Sequence, residues 1–136
     1  AYPKAPEAKK QALAAVPEDA PLIAPVTETL AAGDTRLETQ TLVFELILGD
    51  ANQTLPGWAG RADAWFLDGF SPAKNPELWT PTLLSEVGGH TAPGGTAATY
   101  SAAGAVRRAL EEAGFTVTRE PGYGRKRHMT VAALTP

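Results

Sequence analysis

Cysteine is absent from this chain of 136 residues. That excludes disulfides and thiolate metal sites, and it leaves the redox compartment open. Histidine is scarce: His90 and His128 lie far apart and lack the spacing of metal ligands, so no metal is expected. No apolar run approaches the roughly 20 residues that a membrane-crossing helix requires, and no h-region of a signal peptide is present. No membrane partner is therefore expected. Neither Ser71 nor Ser101 has the G-x-S-x-G context of a hydrolase. Gly122-Tyr-Gly124 does not lead from a strand into a helix, so it is not a dinucleotide loop. Internal repeats and low-complexity tracts are also missing. The net charge of −3 argues against nucleic-acid binding over the whole surface, but it permits a local basic patch. What remains is ordinary for a soluble globular chain: 43% hydrophobic residues, 20% charged, and a length suited to one domain with a core. The chain opens on Ala1-Tyr2-Pro3 without methionine, which suggests a piece of a longer protein.

The pattern along the chain alternates helix and strand. Pro6 to Val16 reads as a helix, with proline and an acid in its first turn. A second helix is expected over 22–32, closed by Gly33. Asp34 to Gln40 looks irregular. Thr41 to Leu48 is nearly continuous apolar sequence, the mark of a strand covered on both faces, and it leads into Gly49-Asp50. Residues 51–62 form a loop or short helix. A second buried strand, Ala64-Trp-Phe-Leu67, ends on Asp68-Gly69 and enters a loop fixed by Pro72 and Pro76. Asn75-Pro76 and Thr80-Pro81 each read as an N-cap followed by a first-turn proline, so the next helical segment should be broken once. Pro93-Gly-Gly95 reads as a turn, and 96–101 as a short strand. In 102–113, Val106, Ala109, Leu110 and Ala113 follow helical spacing, closed by Gly114. Residues 115–119 and 128–134 form an antiparallel pair. The order favours an α/β fold with a mainly parallel sheet and an antiparallel edge.

Open α/β sheets bind ligands at the carboxyl ends of their strands. Asp50 and Asp68 both stand at such ends, each beside a glycine that permits close backbone approach. Two readings stand: the acids accept from amino or hydroxyl groups of a ligand, or they cap turns and helices. Arg125-Lys-Arg-His128 is the densest basic run. With Lys74, Arg107 and Arg108 it is either a phosphate-binding patch or part of a solvated hairpin. Trp65, Phe66, Phe70, Trp79 and Tyr100 could stack on a base or adenine, although Trp65 or Phe66 is expected in the core.

The stretch Asp63-Ala-Trp-Phe-Leu-Asp-Gly-Phe-Ser-Pro-Ala-Lys-Asn-Pro-Glu-Leu-Trp79 is followed in order by Pro93-Gly-Gly-Thr96, Thr99-Tyr-Ser-Ala-Ala-Gly-Ala-Val-Arg-Arg108, Ala113-Gly-Phe115 and Gly122-Tyr-Gly-Arg-Lys-Arg127. Together these blocks resemble the methyltransferase domain of the bacterial enzymes that complete 5-methylaminomethyl-2-thiouridine at the tRNA wobble position. The likeness is dense from Gly49 to Leu134 and loose before it. It implies a Rossmann-like class I methyltransferase that uses S-adenosylmethionine and acts on tRNA in the cytoplasm, in some members fused to a flavin-dependent oxidase. It also implies roles for individual residues. Asp50 and Ala51 would lie near the adenine. Asp68, Gly69 and Phe70 would lie near the methionine end of the cofactor, with Asp68 as the catalytic carboxylate. Phe70, Pro72, Lys74, Asn75, Arg125, Lys126 and Arg127 would contact the substrate.

In that fold the strand order is 3-2-1-4-5-7-6. The first two strands and the glycine-rich cofactor loop would precede Ala1, so residues 1–136 are expected to be the C-terminal part of one methyltransferase domain. On that expectation the strand at Thr41–Leu48 has no neighbour through which to reach the Asp68 strand, and these residues alone should bind the cofactor weakly or not at all. Two other functions fit the same residues: a class I methyltransferase for another amine, and a non-catalytic Rossmann-like module that binds RNA or a partner.

Overall fold

The computed structural model describes residues 23–122 and 127–136. The expected helix over Pro6–Val16 lies outside them. The chain divides into two compact units, 1–48 and 49–136.

In the first unit, helix α1 (Ile23–Ala31) ends where expected. Gly33 takes a left-handed conformation at φ 87°, and the following N–H of Asp34 returns to the Thr29 carbonyl at 3.0 Å, closing the last turn. Strands β1 (Arg36–Glu38) and β2 (Val43–Glu45) then pair antiparallel, with Leu37 opposite Phe44. This corrects two expectations. The segment over 34–40 is not wholly irregular, and 41–48 is not a strand covered on both faces. Leu42, Phe44 and Leu46 are half-buried while Val43, Glu45 and Ile47 are exposed, the alternation of a hairpin with one covered face. A continuous apolar run does not reveal that alternation.

The second unit contains a four-stranded sheet in the order β3-β4-β6-β5, formed by β3 (Ala62–Phe66), β4 (Thr91–Thr99), β5 (Phe115–Pro121) and β6 (His128–Leu134). This is the 4-5-7-6 portion of the order that the resemblance implies. The sheet is mixed. β3 and β4 run parallel, whereas β6 is antiparallel to both β4 and β5. The carboxyl ends of β3, β4 and β5 therefore share one rim with the amino end of β6.

Short helix α2 (Ala51–Thr54) precedes β3. Between β3 and β4 lie a 3-10 turn (Pro76–Trp79) and helix α3 (Pro81–Gly89), broken at Thr80 as expected. Thr80 Oγ1 accepts from the Leu83 N–H at 3.2 Å, and Pro81 opens α3. Pro93-Gly-Gly95 is not a turn ahead of the strand, which runs over 91–99 rather than 96–101. It forms an irregularity inside β4, with Gly94 at φ 75°. Helix α4 (Gly104–Glu112) connects β4 to β5.

The core lies on one face of this sheet. Leu84 and Val87 of α3 meet Val106, Ala109 and Leu110 of α4 over Ala97, Phe115 and Ala132. Trp65 packs against this cluster, and its Nε1 donates to Thr91 Oγ1 at 2.9 Å. Thr91 in turn donates to the Val87 carbonyl at 2.6 Å, so the strand is tied to the helix that precedes it. Phe66, one residue on, faces the other way and is 88% exposed. The Ala64–Leu67 run is thus half-covered rather than buried throughout, and of the two aromatic residues only Trp65 joins the core.

Candidate active site at the strand-end rim

β3 delivers Asp68 to the rim. The Leu67 N–H donates to the Ala98 carbonyl at 2.9 Å, extending the parallel ladder one residue beyond β3. Asp68 follows, exposed, level with Tyr100 on the neighbouring strand. Its Oδ1 accepts from the Gly69 N–H at 2.8 Å. The second oxygen makes no hydrogen bond among the described residues.

The loop after Asp68 is fastened at several points. The Phe70 carbonyl accepts from Trp79 Nε1 at 2.8 Å. The Ser71 carbonyl accepts from the N–H groups of Lys74 and Asn75, at 2.8 and 3.0 Å. Phe70 is 58% exposed, Pro72 is half-buried and Lys74 is exposed. Asn75 makes no cap bond to the 3-10 turn it precedes, contrary to expectation. In the amide orientation that satisfies its partners, it donates to both carboxylate oxygens of Glu77, at 3.0 and 3.1 Å. Pro76 fixes the turn without that cap.

Asp50 is a helix cap and not a strand-end acid, because β2 stops at Glu45 and, among the described residues, pairs only with β1. It precedes α2, and its Oδ1 accepts from the Asn52 N–H at 2.9 Å and from Asn52 Nδ2 at 3.1 Å. The backbone bond first, and then the side-chain bond, lower the Asp50 pKa from its ordinary 3.8. Its other oxygen makes no hydrogen bond among the described residues. Asn52 Nδ2 also donates to the Glu77 carbonyl at 3.2 Å. One amide thus ties the Asp50 turn to the 3-10 segment that anchors the Asp68 loop. Asn52 was not singled out from the sequence. The local Asp-x-Asn turn is legible there, but its contact 25 residues away is not.

The rim at Asp68 and the Asp50 turn linked to it thus present two carboxylates, each with an oxygen that accepts no hydrogen bond among the described residues, and exposed aromatic rings at Phe66, Phe70 and Tyr100, the last 54% exposed. Carboxylates accept from ammonium, amino or hydroxyl groups, and aromatic faces attract a cationic centre. The model of the S-adenosyl-L-methionine-dependent methyltransferase family matches residues 17–135. This chain belongs to that family. The donor set fits the cofactor of the family: it pairs anionic acceptors with ring faces, as a ligand with hydroxyls, an ammonium group and a sulfonium requires.

The methyltransferase chain is 55% identical over 93 residues to the tRNA 5-methylaminomethyl-2-thiouridine biosynthesis bifunctional protein MnmC of Ralstonia nicotianae. That match covers 68% of this chain and 14% of the relative. The MnmC protein of Pseudomonas fluorescens is 45% identical over 130 residues, covering 92% of this chain and 20% of the relative. The chain thus spans between a seventh and a fifth of the length of these curated relatives. The crystal structure of MNMC2 from Aquifex aeolicus superposes with a TM-score of 0.74 at 37% identity, over 89% of this chain and 39% of that one.

Asp68, Gly69, Phe70, Pro72, Lys74 and Asn75 lie in the loop after β3, and Asp50 and Ala51 at the start of α2, which Asn52 links to the 3-10 segment. Arg127 sits apart, at the β5–β6 connection, where its carbonyl accepts from the Gly122 N–H at 3.1 Å. Arg125 and Lys126 lie outside the described residues. Among the described residues, no helix is long and apolar enough to cross a membrane.

Proposed function

We propose that this chain takes part in S-adenosylmethionine-dependent N-methylation of the 5-aminomethyl group of (2-thio)uridine at the tRNA wobble position, giving the methylaminomethyl product. One observation carries the reading: Asp68 ends β3 on the rim, in a loop whose anchor is joined through Asn52 to the Asp50 turn. The names of the relatives point to the same substrate, and a tRNA substrate goes with a cytoplasmic site of action.

On this reading Asp50 and Ala51 hold the adenosyl end of the cofactor, and Asp68, Gly69 and Phe70 its methionine end. The cofactor supplies an electrophilic methyl group. The attacking amine must be neutral, and its nitrogen becomes positive as the new bond forms. The free oxygen of Asp68 orients that amine and stabilises the growing charge. Asp68 need not remove the proton, which can leave to water after transfer. Phe70 and Pro72 wall the reacting groups from solvent. Lys74, Asn75, Arg125, Lys126 and Arg127 are assigned to the RNA. A flavin-dependent oxidase, fused or separate, would supply the amine.

The test is Asp68→Ala, assayed for methyl transfer to tRNA and separately for tRNA binding. Transfer should be lost while tRNA affinity is kept. Turnover retained at the wild-type rate would refute the role of Asp68.

A further inference from the structure

A second feature of the same rim lies outside the two loops. Gly104, Arg107, Arg108 and Glu111 of α4, with Val117 and Arg119 of β5, line an open, mainly polar cleft of about 300 Å³. Arg107 and Arg108 stand one turn before Glu111 and Glu112, the spacing at which helix ion pairs form. No such pair forms: among the described residues none of the three arginines makes an ion pair. Three guanidinium groups thus face one cleft that contains a single carboxylate.

The sheet register fixes where the cleft lies. Arg119 is opposite Thr130, and Thr130 is opposite Thr99, the last residue of β4. Arg119 is therefore level with the strand ends that carry Asp68 and Tyr100. Three strand spacings of about 4.8 Å separate β3 from β5, so the cleft stands roughly 15 Å along the rim from the line of Asp68. That is too far to touch the reacting nucleotide and near enough to hold its neighbours. Val117 is the one large apolar lining residue, so an apolar ligand finds little to bury. Planar guanidinium groups match phosphate oxygens in paired hydrogen bonds.

We propose that Arg107, Arg108 and Arg119 bind the phosphodiester backbone of the tRNA substrate beside the nucleotide that is methylated. The proposal rests on the tRNA reading above. It adds a contact surface separate from the Lys74 loop and the β5–β6 connection. Phosphate contacts position a nucleic acid without reading its sequence, so the cleft sets register and affinity rather than base choice.

The experiment measures affinity for tRNA, and for an unrelated RNA hairpin, across a salt series. It compares the wild type with the triple variant Arg107→Gln/Arg108→Gln/Arg119→Gln and with Glu111→Lys. At about 0.7 in slope per single-strand phosphate contact, the triple variant should lose about two units of salt dependence and about tenfold or more in affinity for both RNAs. Its KM for tRNA should rise while kcat is kept. Glu111→Lys should bind both RNAs more tightly with a steeper slope, a gain that misfolding cannot produce. Wild-type affinity and slope in both variants would overturn the cleft and leave the tRNA reading standing. If the variants shift hairpin affinity as expected but the wild type methylates no tRNA, the substrate reading falls and the cleft remains an RNA site.

Discussion

Asn52 makes three hydrogen bonds at the candidate site, although the sequence does not mark it as chemical. Its backbone N–H and one amide hydrogen go to Asp50, and its amide also reaches the Glu77 carbonyl. Because two bonds to the Asp50 carboxylate originate here, the folded pKa of Asp50 lies below its ordinary value. The sign follows: this contribution to stability is present above the unfolded value and is lost as pH falls through the folded one. Carboxyl-carbon NMR should therefore find Asp50 titrating below 3.8 in the wild type. In Asn52→Ala its midpoint should rise part of the way back, because the backbone N–H stays. An unmoved midpoint would show that the side-chain bond is not made in solution. At this scale the two acids were legible because each stands beside a glycine after an apolar run, although only Asp68 follows a strand closely. The amide that couples them was not, because its partner is set by tertiary packing.

At the scale of elements, α3 offers paired tests. Thr80→Ala removes the oxygen that accepts from the Leu83 N–H and should cost about 1 kcal/mol, read from denaturant midpoints. Gly88 and Gly89 are adjacent in the last turn of α3, where alanine is ordinarily preferred by up to about 1 kcal/mol. A Cβ on Gly88 would lie 2.5 Å from the Ala113 carbonyl oxygen, the backbone at the end of α4. A Cβ on Gly89 would meet nothing within 4 Å. Overpacking of the first kind costs about 1–3 kcal/mol, which exceeds the helical gain. Gly88→Ala should therefore destabilise, and Gly89→Ala should be neutral or stabilising. The break before α3 was readable from two proline-led helix starts in succession, of which only the one at Thr80 is capped. The extent of β4 was not, because Pro93-Gly94-Gly95 carries turn chemistry inside a strand that pairs on both sides of it.

For the whole molecule, protection should follow the sheet of the second unit. β4 and β6 are its two inner strands, and they carry the buried Ala97, Thr99, Thr130 and Ala132. The β1–β2 pairing joins three residues to three, and an isolated two-stranded pairing is marginal in water. Hydrogen exchange should be slowest at residues 97–99 and 130–132 and fast throughout 36–45. Comparable protection in both regions would contradict this. Leu110→Ala empties a fully buried position between α4 and the sheet and should cost about 2–5 kcal/mol in the global unfolding of this unit. The α/β class and the antiparallel end were legible from the alternation of periods along the chain. The hairpin at 36–45 was not, because unbroken apolar sequence does not say how many faces are covered.

The irregularity in β4 has a consequence for insertions and deletions. Between Ala62 and Ala64 the chain of β3 advances two residues, while its partner advances five, from Thr91 to Thr96. The surplus of three is an odd number. It is absorbed without exchanging the inward positions of β4: Thr91, Gly95, Ala97 and Thr99 are all buried, and Tyr100 leaves the strand exposed at the rim. Residues 92–95 thus act as a spacer with a fixed parity. Replacing Gly94 with alanine strains one left-handed residue, whereas deleting it would reverse the facing of every later side chain in the strand. A family built on this sheet should tolerate changes of letter there far more readily than changes of length.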